Sequence, residues 1–331
     1  MIRIAINGFG RIGRLAFRRI ITTTDFDIVA INDLGSAQDL AYLAKYDTTH
    51  RSFHEDLIKA EEDEIVINNV KRIKVYNEKD PINLPWKELN IDLVIECTGL
   101  FTKYEDAHKH IEAGAKKVII SAPSKSDNVK TIVYGVNDDI LDGTEEIVSA
   151  ASCTTNCLAP VAKILNDNIG IVYGYMSTIH AYTNDQVTLD IAHKKGINSR
   201  RGRACAANII PTSTGAASAI GKVIPELDGL LEGVAYRVPV TDGSMIELTF
   251  IPKKTISIDE INHLFEQNSN ETLKITYDPI VSSDIIGKSV GALVDGMLTS
   301  TNGNLIKVVA WYDNEYGYTT QMLRTAKAMF K

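Results

Sequence analysis

A chain of 331 residues, 44% hydrophobic and 23% charged, is longer than one ordinary core and too evenly mixed for a fibrous or disordered protein, so two globular domains are expected. No run approaches the apolar length that spans a bilayer. A formal net charge of −7 argues against nucleic-acid or anionic-membrane surfaces.

In chain order, a β-branched run over 2–6 precedes a helix-like stretch over 12–21, a strand over 28–31 and a helix over 37–45. Strands alternating with helices predict a parallel sheet. The alternation resumes with a strand over 93–97, a helix over 104–113, and strands over 117–120 and 131–136, so 1–151 reads as one doubly wound domain. Beyond it the strands lengthen and alternate, over 171–183, 233–240, 245–251 and 306–312. That pattern predicts a second, α+β domain over 152–314 with a mixed or antiparallel sheet. Ser257 and Glu260 are spaced for a capping box ahead of Ile261, Leu264 and Phe265. Residues from about 315 to 331 read as a terminal helix returning to the first domain.

Gly8-Phe9-Gly10-Arg11-Ile12-Gly13 follows a strand and opens a helix, the context that makes a G-x-G-x-x-G informative. The first Gly permits a tight turn, the second admits a pyrophosphate, and the third lets strand and helix pack. Asp33, twenty positions on from Gly13, stands where a carboxylate accepts from an adenosine ribose and repels a 2′-phosphate. The first domain is therefore read as an α/β Rossmann domain for NAD rather than NADP.

Four cysteines are too sparse for a disulfide framework. With no basic, apolar leader before the first strand, reduced thiols and a cytoplasmic location are expected. Cys153, in Ser152-Cys153-Thr154-Thr155-Asn156-Cys157, falls where a strand ends and an apolar helix begins. A helix N-terminus lowers a thiol's pKa and holds an oxyanion, so Cys153 is the candidate nucleophile; Cys97, Cys157 and Cys205 are read as small buried apolar residues. Among seven histidines, His180 is the candidate base because it ends a strand beside polar residues. Arg200, Arg201 and Arg203, with Arg237 further on, could form an anion site. Pro211-Thr212-Ser213-Thr214-Gly215-Ala216 could cradle a phosphate ahead of a helix-like run. No metal is expected.

Taken together, these segments resemble the phosphorylating glyceraldehyde-3-phosphate dehydrogenases over essentially the whole chain, from Ile4-Ala5-Ile6-Asn7 to Trp311-Tyr312-Asp313-Asn314-Glu315-Tyr316-Gly317-Tyr318. The resemblance implies that 152–314 is catalytic, with Cys153 the nucleophile and His180 the general base, glyceraldehyde 3-phosphate and inorganic phosphate the substrates, and NAD the cofactor. It implies Thr183, Arg201 and Arg237 for the substrate's phosphate, and Ser152, Thr154, Thr214 and Gly215 for the attacking phosphate. For the dinucleotide it implies Arg11 and Ile12 at the pyrophosphate, Asp33 at the ribose, Lys79 on the adenine side, Ser121 near the nicotinamide, and Asn314 on its carboxamide. A homotetramer is implied too, with a loop over about 182–207 near a neighbour's cofactor. Arg51 stands where the family usually has Gly, Ala192 where NAD-specific relatives commonly carry Pro, and Gly196-Ile197-Asn198 resembles a small insertion ahead of the arginines.

Three other readings share parts of this pattern. An erythrose-4-phosphate dehydrogenase shares the cofactor domain and the Cys/His pair, but the hydroxyl-rich 212–215 segment favours the phosphorylating enzyme. A cysteine hydrolase has no use for the glycine turn and Asp33. A non-enzymatic dinucleotide-binding or adhesion protein has no need of Cys153, His180, Arg237 and Asn314 together.

Overall fold

Nine strands build the sheet of the first unit, which comprises Met1–Ile132, Asp138–Ala151 and Met322–Lys331 of a computed structural model that describes residues 1–193 and 196–331. In chain order these are β1 (Ile2–Asn7), β2 (Phe26–Asn32), β3 (Ile58–Glu61), β4 (Glu64–Ile67), β5 (Lys71–Tyr76), β6 (Leu93–Glu96), β7 (Lys117–Ile120), β8 (Lys130–Thr131) and β9 (Ile147–Ser149). Their spatial order is β3-β4-β5-β2-β1-β6-β7-β9-β8. All pairings are parallel except β3 with β4 and β4 with β5. The order reverses direction at β1, which lies between β2 and β6; in such sheets ligands bind beyond the strand ends at this switch. Helices α1 (Arg11–Ile20), α2 (Ala37–Lys45) and α3 (Tyr104–Glu112) connect the strands. The central strands are apolar because both faces are covered: Ile4, Ile6, Ile31 and Ile95 pack with Phe17 and Leu40, and Ala5, Ala30, Val94 and Val118 with Trp86 and Ala107.

The second unit, Val133–Asn137 with Ser152–Gln321, is built on β10 (Ile171–Ala181), β11 (Ile210–Ser213), β12 (Leu231–Val238), β13 (Ser244–Pro252), β14 (Leu273–Thr276), β15 (Ala292–Asp295), β16 (Ser300–Asn302) and β17 (Leu305–Tyr312). The sheet runs β11-β12-β10-β13-β17-β15-β14, with β16 paired to β17. It is mixed: β10–β12 and β14–β15 are parallel and the other pairs antiparallel. Helix α4 (Cys153–Ile169) runs through Pro160, and α5 (Ile258–Gln267) starts at the capping box expected of Ser257 and Glu260. Helix α6 (Tyr316–Ala328) begins in this unit, and its Met322, Leu323 and Ala326, followed by Met329, belong to the first unit's core.

Three expectations change. The 131–136 strand is only β8, because Val133 and Val136 instead form a turn closed by Val133 N–H donating to Asn137 Oδ1, 2.8 Å. The 45–93 stretch, to which the sequence pattern assigned no element, holds the β3–β4–β5 meander. Its charges alternate with Ile65 and Ile73, a fully buried cross-strand pair, while Arg72 pairs with Glu64. After Gly215 the chain enters a 3-10 turn over Ser218–Lys222 rather than a helix, so that segment carries no helix dipole toward an anion.

Candidate active site

In the first unit the glycine turn is dictated by space. Gly8 has φ +90°, and a Cβ there would sit 2.7 Å from Thr98 N. A Cβ on Gly13 would meet Gly8 O at 2.1 Å, whereas one on Gly10 would meet nothing within 4 Å. Gly10 is the N-cap of α1, no side chain caps it, and the first turn holds no acidic residue. An uncapped helix start with open space beside it suits an anion such as a pyrophosphate. Arg11 pairs through its guanidinium with Asp47, so toward the helix start it offers its backbone N–H. Burial would raise Asp47, but the hydrogen bonds from Arg11, His50 N–H and Thr49 N–H hold it down to about 2.

Asp33 accepts from Phe9 N–H (2.7 Å) and Gly35 N–H (2.9 Å), which fixes its carboxylate at the end of the turn. Asn77 Nδ2 donates to the carbonyls of Asp33 and Gly35, both 2.7 Å, tying the segment that bears exposed Lys79 to the same corner. Beneath it lies a buried network. Asn7, Asn32 and Glu96 end β1, β2 and β6; Asn32 donates to Asn7 (2.7 Å), Asn7 to Glu96 (2.5 Å), and His110 Nε2 lies 3.1 Å from Glu96 while its Nδ1 accepts from Trp86 Nε1 at 3.0 Å. This network went unnoticed in the sequence, where its members are scattered singly, though three of them end strands. Ser121 is half-buried after β7.

In the second unit, Ser152 caps α4: its Oγ accepts from Thr155 N–H at 3.0 Å. Ala151, just ahead, takes a left-handed φ of +59°, a strained conformation of the kind that clusters at active sites. Cys153 Sγ lies 3.3 Å from His180 Nε2. Strand register supplies the rest, since His180 on β10 is paired with Arg237 on β12. Arg237 Nη1 approaches His180 Nδ1 (2.8 Å), Ala181 O (2.8 Å) and Thr183 Oγ1 (3.1 Å). Its buried Nε has no hydrogen-bond partner among the described residues, an unused donor suited to an anion. Arg201 donates to Thr212 Oγ1 (3.1 Å) and pairs with Asp185, which also takes the Thr183 hydroxyl. A cleft of about 360 Å³ opens beside it, lined by Ser199, Arg200, Arg201, Thr212 and Ser213. Arg203 turns instead to Asp190.

The expected drop in the Cys153 pKa is reversed. Burial of the sulfur pushes the thiol up, and this outweighs the charge of Arg237 and the hydrogen bonds from Thr154. Burial and then Arg237 push His180 down to about 3. Both shifts favour neutral thiol beside neutral imidazole over the ion pair.

Thr154 and Thr178 flank the Tyr312 hydroxyl, each at 2.8 Å, and the Tyr312 ring meets His180 edge-on at 5.9 Å. Asn314 Oδ1 accepts from Ser244 Oγ at 2.6 Å, and Ser244 Oγ accepts from Ala181 N–H at 3.1 Å. That orients the Asn314 amide nitrogen away from Ser244. Tyr312, Ser244 and Asp185 were missed in the sequence; strand register sets Ser244 opposite Tyr312, whereas Asp185 lies in a turn two residues past Thr183 and has no register signal. Thr214 Oγ1 accepts from Ala216 N–H (3.2 Å), and Gly215 is exposed. The four cysteines are free.

A glycine turn with an acidic strand end in one unit, and a thiol–imidazole pair beside two guanidiniums in the other, define a class: dinucleotide-dependent oxidoreductases that work through a cysteine. Residues 2–104 match the NAD binding domain of glyceraldehyde 3-phosphate dehydrogenase, and residues 152–314 match its C-terminal domain. A glyceraldehyde-3-phosphate dehydrogenase of Clostridium pasteurianum is 54% identical, with 100% of this chain and 99% of the relative covered. One from Clostridium acetobutylicum is 54% identical (98% and 97% covered) and one from Streptococcus pyogenes 52% (100% and 99%). The chain belongs to the glyceraldehyde-3-phosphate dehydrogenase family, and its first unit carries that family's NAD-binding domain.

Proposed function

We propose that the protein oxidises glyceraldehyde 3-phosphate with NAD and inorganic phosphate to 1,3-bisphosphoglycerate. The observation that carries this reading is Cys153 Sγ 3.3 Å from His180 Nε2, with Arg237 on the far side of the ring. His180 takes the thiol proton as sulfur adds to the aldehyde carbon, then returns it to the hemithioacetal oxygen. Backbone N–H groups at the start of α4 stabilise that oxygen. Bound through the Gly8, Gly10 and Gly13 turn, Arg11, Ile12 and Asp33, with Lys79, Ser121 and Asn314 contributing, the dinucleotide supplies the hydride acceptor. His180 removes the hydroxyl proton during oxidation, leaving a thioester on Cys153. Inorganic phosphate held by Ser152, Thr154, Thr214 and Gly215 attacks it and frees the thiol, while Thr183, Arg201 and Arg237 hold the substrate's phosphate.

Among the described residues no helix is long and apolar enough to cross a membrane. We place the enzyme in the cytoplasm as a homotetramer; the segment over about 182–207 expected near a neighbour includes Lys194 and Lys195, which lie outside the described residues. The domain division we favour is 1–151 for the dinucleotide and 152–314 for catalysis, with the 315–331 helix assigned to the former. The test is NADH absorbance with purified protein, NAD and glyceraldehyde 3-phosphate, with and without phosphate. Turnover should require phosphate and fall at least about 10⁴-fold in Cys153→Ser. Phosphate-independent turnover, or faster turnover of erythrose 4-phosphate, would replace the reading with the hydrolysing relative.

A further inference from the structure

His180 Nδ1 has two claimants that demand opposite things of it. Ala181 O, 2.7 Å away, can only accept, so that contact needs a proton on Nδ1. Arg237 Nη1, 2.8 Å away, can only donate, so that contact needs a bare Nδ1. A neutral imidazole satisfies one and not both. Nη1 itself has two hydrogens and three acceptors within reach: Nδ1, Ala181 O and Thr183 Oγ1.

Two arrangements are self-consistent. With the proton on Nδ1, Ala181 O receives it, Arg237 serves Ala181 O and Thr183, and Nε2 presents a lone pair to the thiol. With Arg237 donating to Nδ1, the ring proton sits on Nε2, facing Cys153 Sγ, and that nitrogen cannot take the thiol's proton. We infer that Arg237 is a positioning residue for the base: it sets which ring nitrogen of His180 carries the proton, and an oxyanion that draws its N–H groups away selects the tautomer able to deprotonate Cys153. The step balances, since the thiol proton moves to Nε2, leaving thiolate and an imidazolium whose Nδ1–H stays on Ala181 O. Selection by an oxyanion rests on the substrate's phosphate binding to Arg237; control of the tautomer by Arg237 does not.

Among the described residues, the charged and titratable groups facing or acting on the ring are Arg237, Arg201, Glu315, Cys153 and Tyr312. The Arg237 charge lowers both the imidazole and the thiol. An anion on Arg237 weakens both effects, making the ring a better base and the thiol a weaker acid.

The experiment reads the ring-nitrogen shifts of His180 by NMR in the full chain with ¹⁵N-histidine, its signals assigned by their loss in His180→Asn. Glycerol 3-phosphate, which has the phosphate and no aldehyde, is the probe. In the wild type it should move His180 toward Nδ1–H. Arg237→Leu should show Nδ1–H with no probe present and no response to it, and Arg237→Lys, whose compact ammonium cannot serve Nδ1 and Ala181 O together, should fall between. The same tautomer in the wild type and in both variants overturns the inference. If the variants shift to Nδ1–H while the probe leaves the wild-type His180 unchanged, Arg237 does set the tautomer, and the assignment of the substrate phosphate to Arg237 is what fails.

Discussion

In the first unit, six consecutive residues from Gly8 to Gly13 form the turn; Gly8 and Gly13 are required by what a Cβ would strike within a few ångströms, and Gly10 by the open space it leaves. In the second, Cys153 and His180 are 27 residues apart and His180 and Arg237 are 57 apart, brought together by α4, β10 and β12. The turn is local and sterically over-determined. The thiol site is long-range and set by strand register, so its electrostatics depend on groups that no spacing rule connects.

The sharpest way to break this comparison is to remove a long-range member alone. His180→Asn should cost about 10²- to 10⁴-fold in turnover while NAD binding is unchanged; a parallel loss of NAD affinity would mean that the two regions are not separable. The same variant has a stability signature. His180 titrates at about 3 when folded, below an imidazole's ordinary 6.5, so between these pH values the unfolded chain binds the extra proton. The native state therefore loses stability as pH falls from 6.5 toward 3, by at most about 1.4 kcal/mol per pH unit. Urea unfolding of His180→Asn should show a shallower decline over that window than the wild type.

Gly13→Ala is the local counterpart. A Cβ 2.1 Å from a backbone oxygen forces strand and helix apart, at a cost of about 1–3 kcal/mol. Dinucleotide affinity should fall sharply in titration calorimetry while iodoacetamide still alkylates Cys153 at the wild-type rate. Asp185→Asn is milder. Asp185 occupies Arg201 and the Thr183 hydroxyl, two groups proposed for the substrate's phosphate, so removing its charge should lower the aldehyde's KM severalfold with kcat nearly unchanged. A raised KM would show that Asp185 orders Arg201 rather than competing for it. The smallest effect is at Arg51, which has φ +63°; Arg51→Gly should raise stability by about 1 kcal/mol, read as a higher Tm.

The same contrast governs what the sequence discloses. The glycine turn, Asp33 and the start of α4 are legible because their determinants are neighbours in the chain. Helix α2 and strand β7 fall on the expected residues for the same reason, since apolar period and caps are local. Arg201 and Arg237 stand out in the sequence only as candidate cations for an anion; their assignment to the substrate's phosphate, and that of Thr183, comes from family resemblance, because nothing in their spacing distinguishes them from surface cations and hydroxyls. Ser244 and Tyr312 escaped both routes, because their partners are defined only once β10, β13 and β17 are aligned; Asp185 escaped because the fold of the loop brings Arg201 to it. The thiol's pKa was misjudged for a related reason: a helix start is visible in the sequence, but the burial that overrides it is not.

The parallel pairing of β10 with β12 also has a consequence for synthesis. A growing chain delivers Cys153 and His180 well before Arg237, and two parallel strands cannot zip from a tight hairpin; their ends must meet by closing a long loop, a slow kind of folding event. Until β12 docks, the nascent polypeptide carries Cys153 without the guanidinium that tunes its partner, so the reactive centre matures late, after most of the chain has left the ribosome.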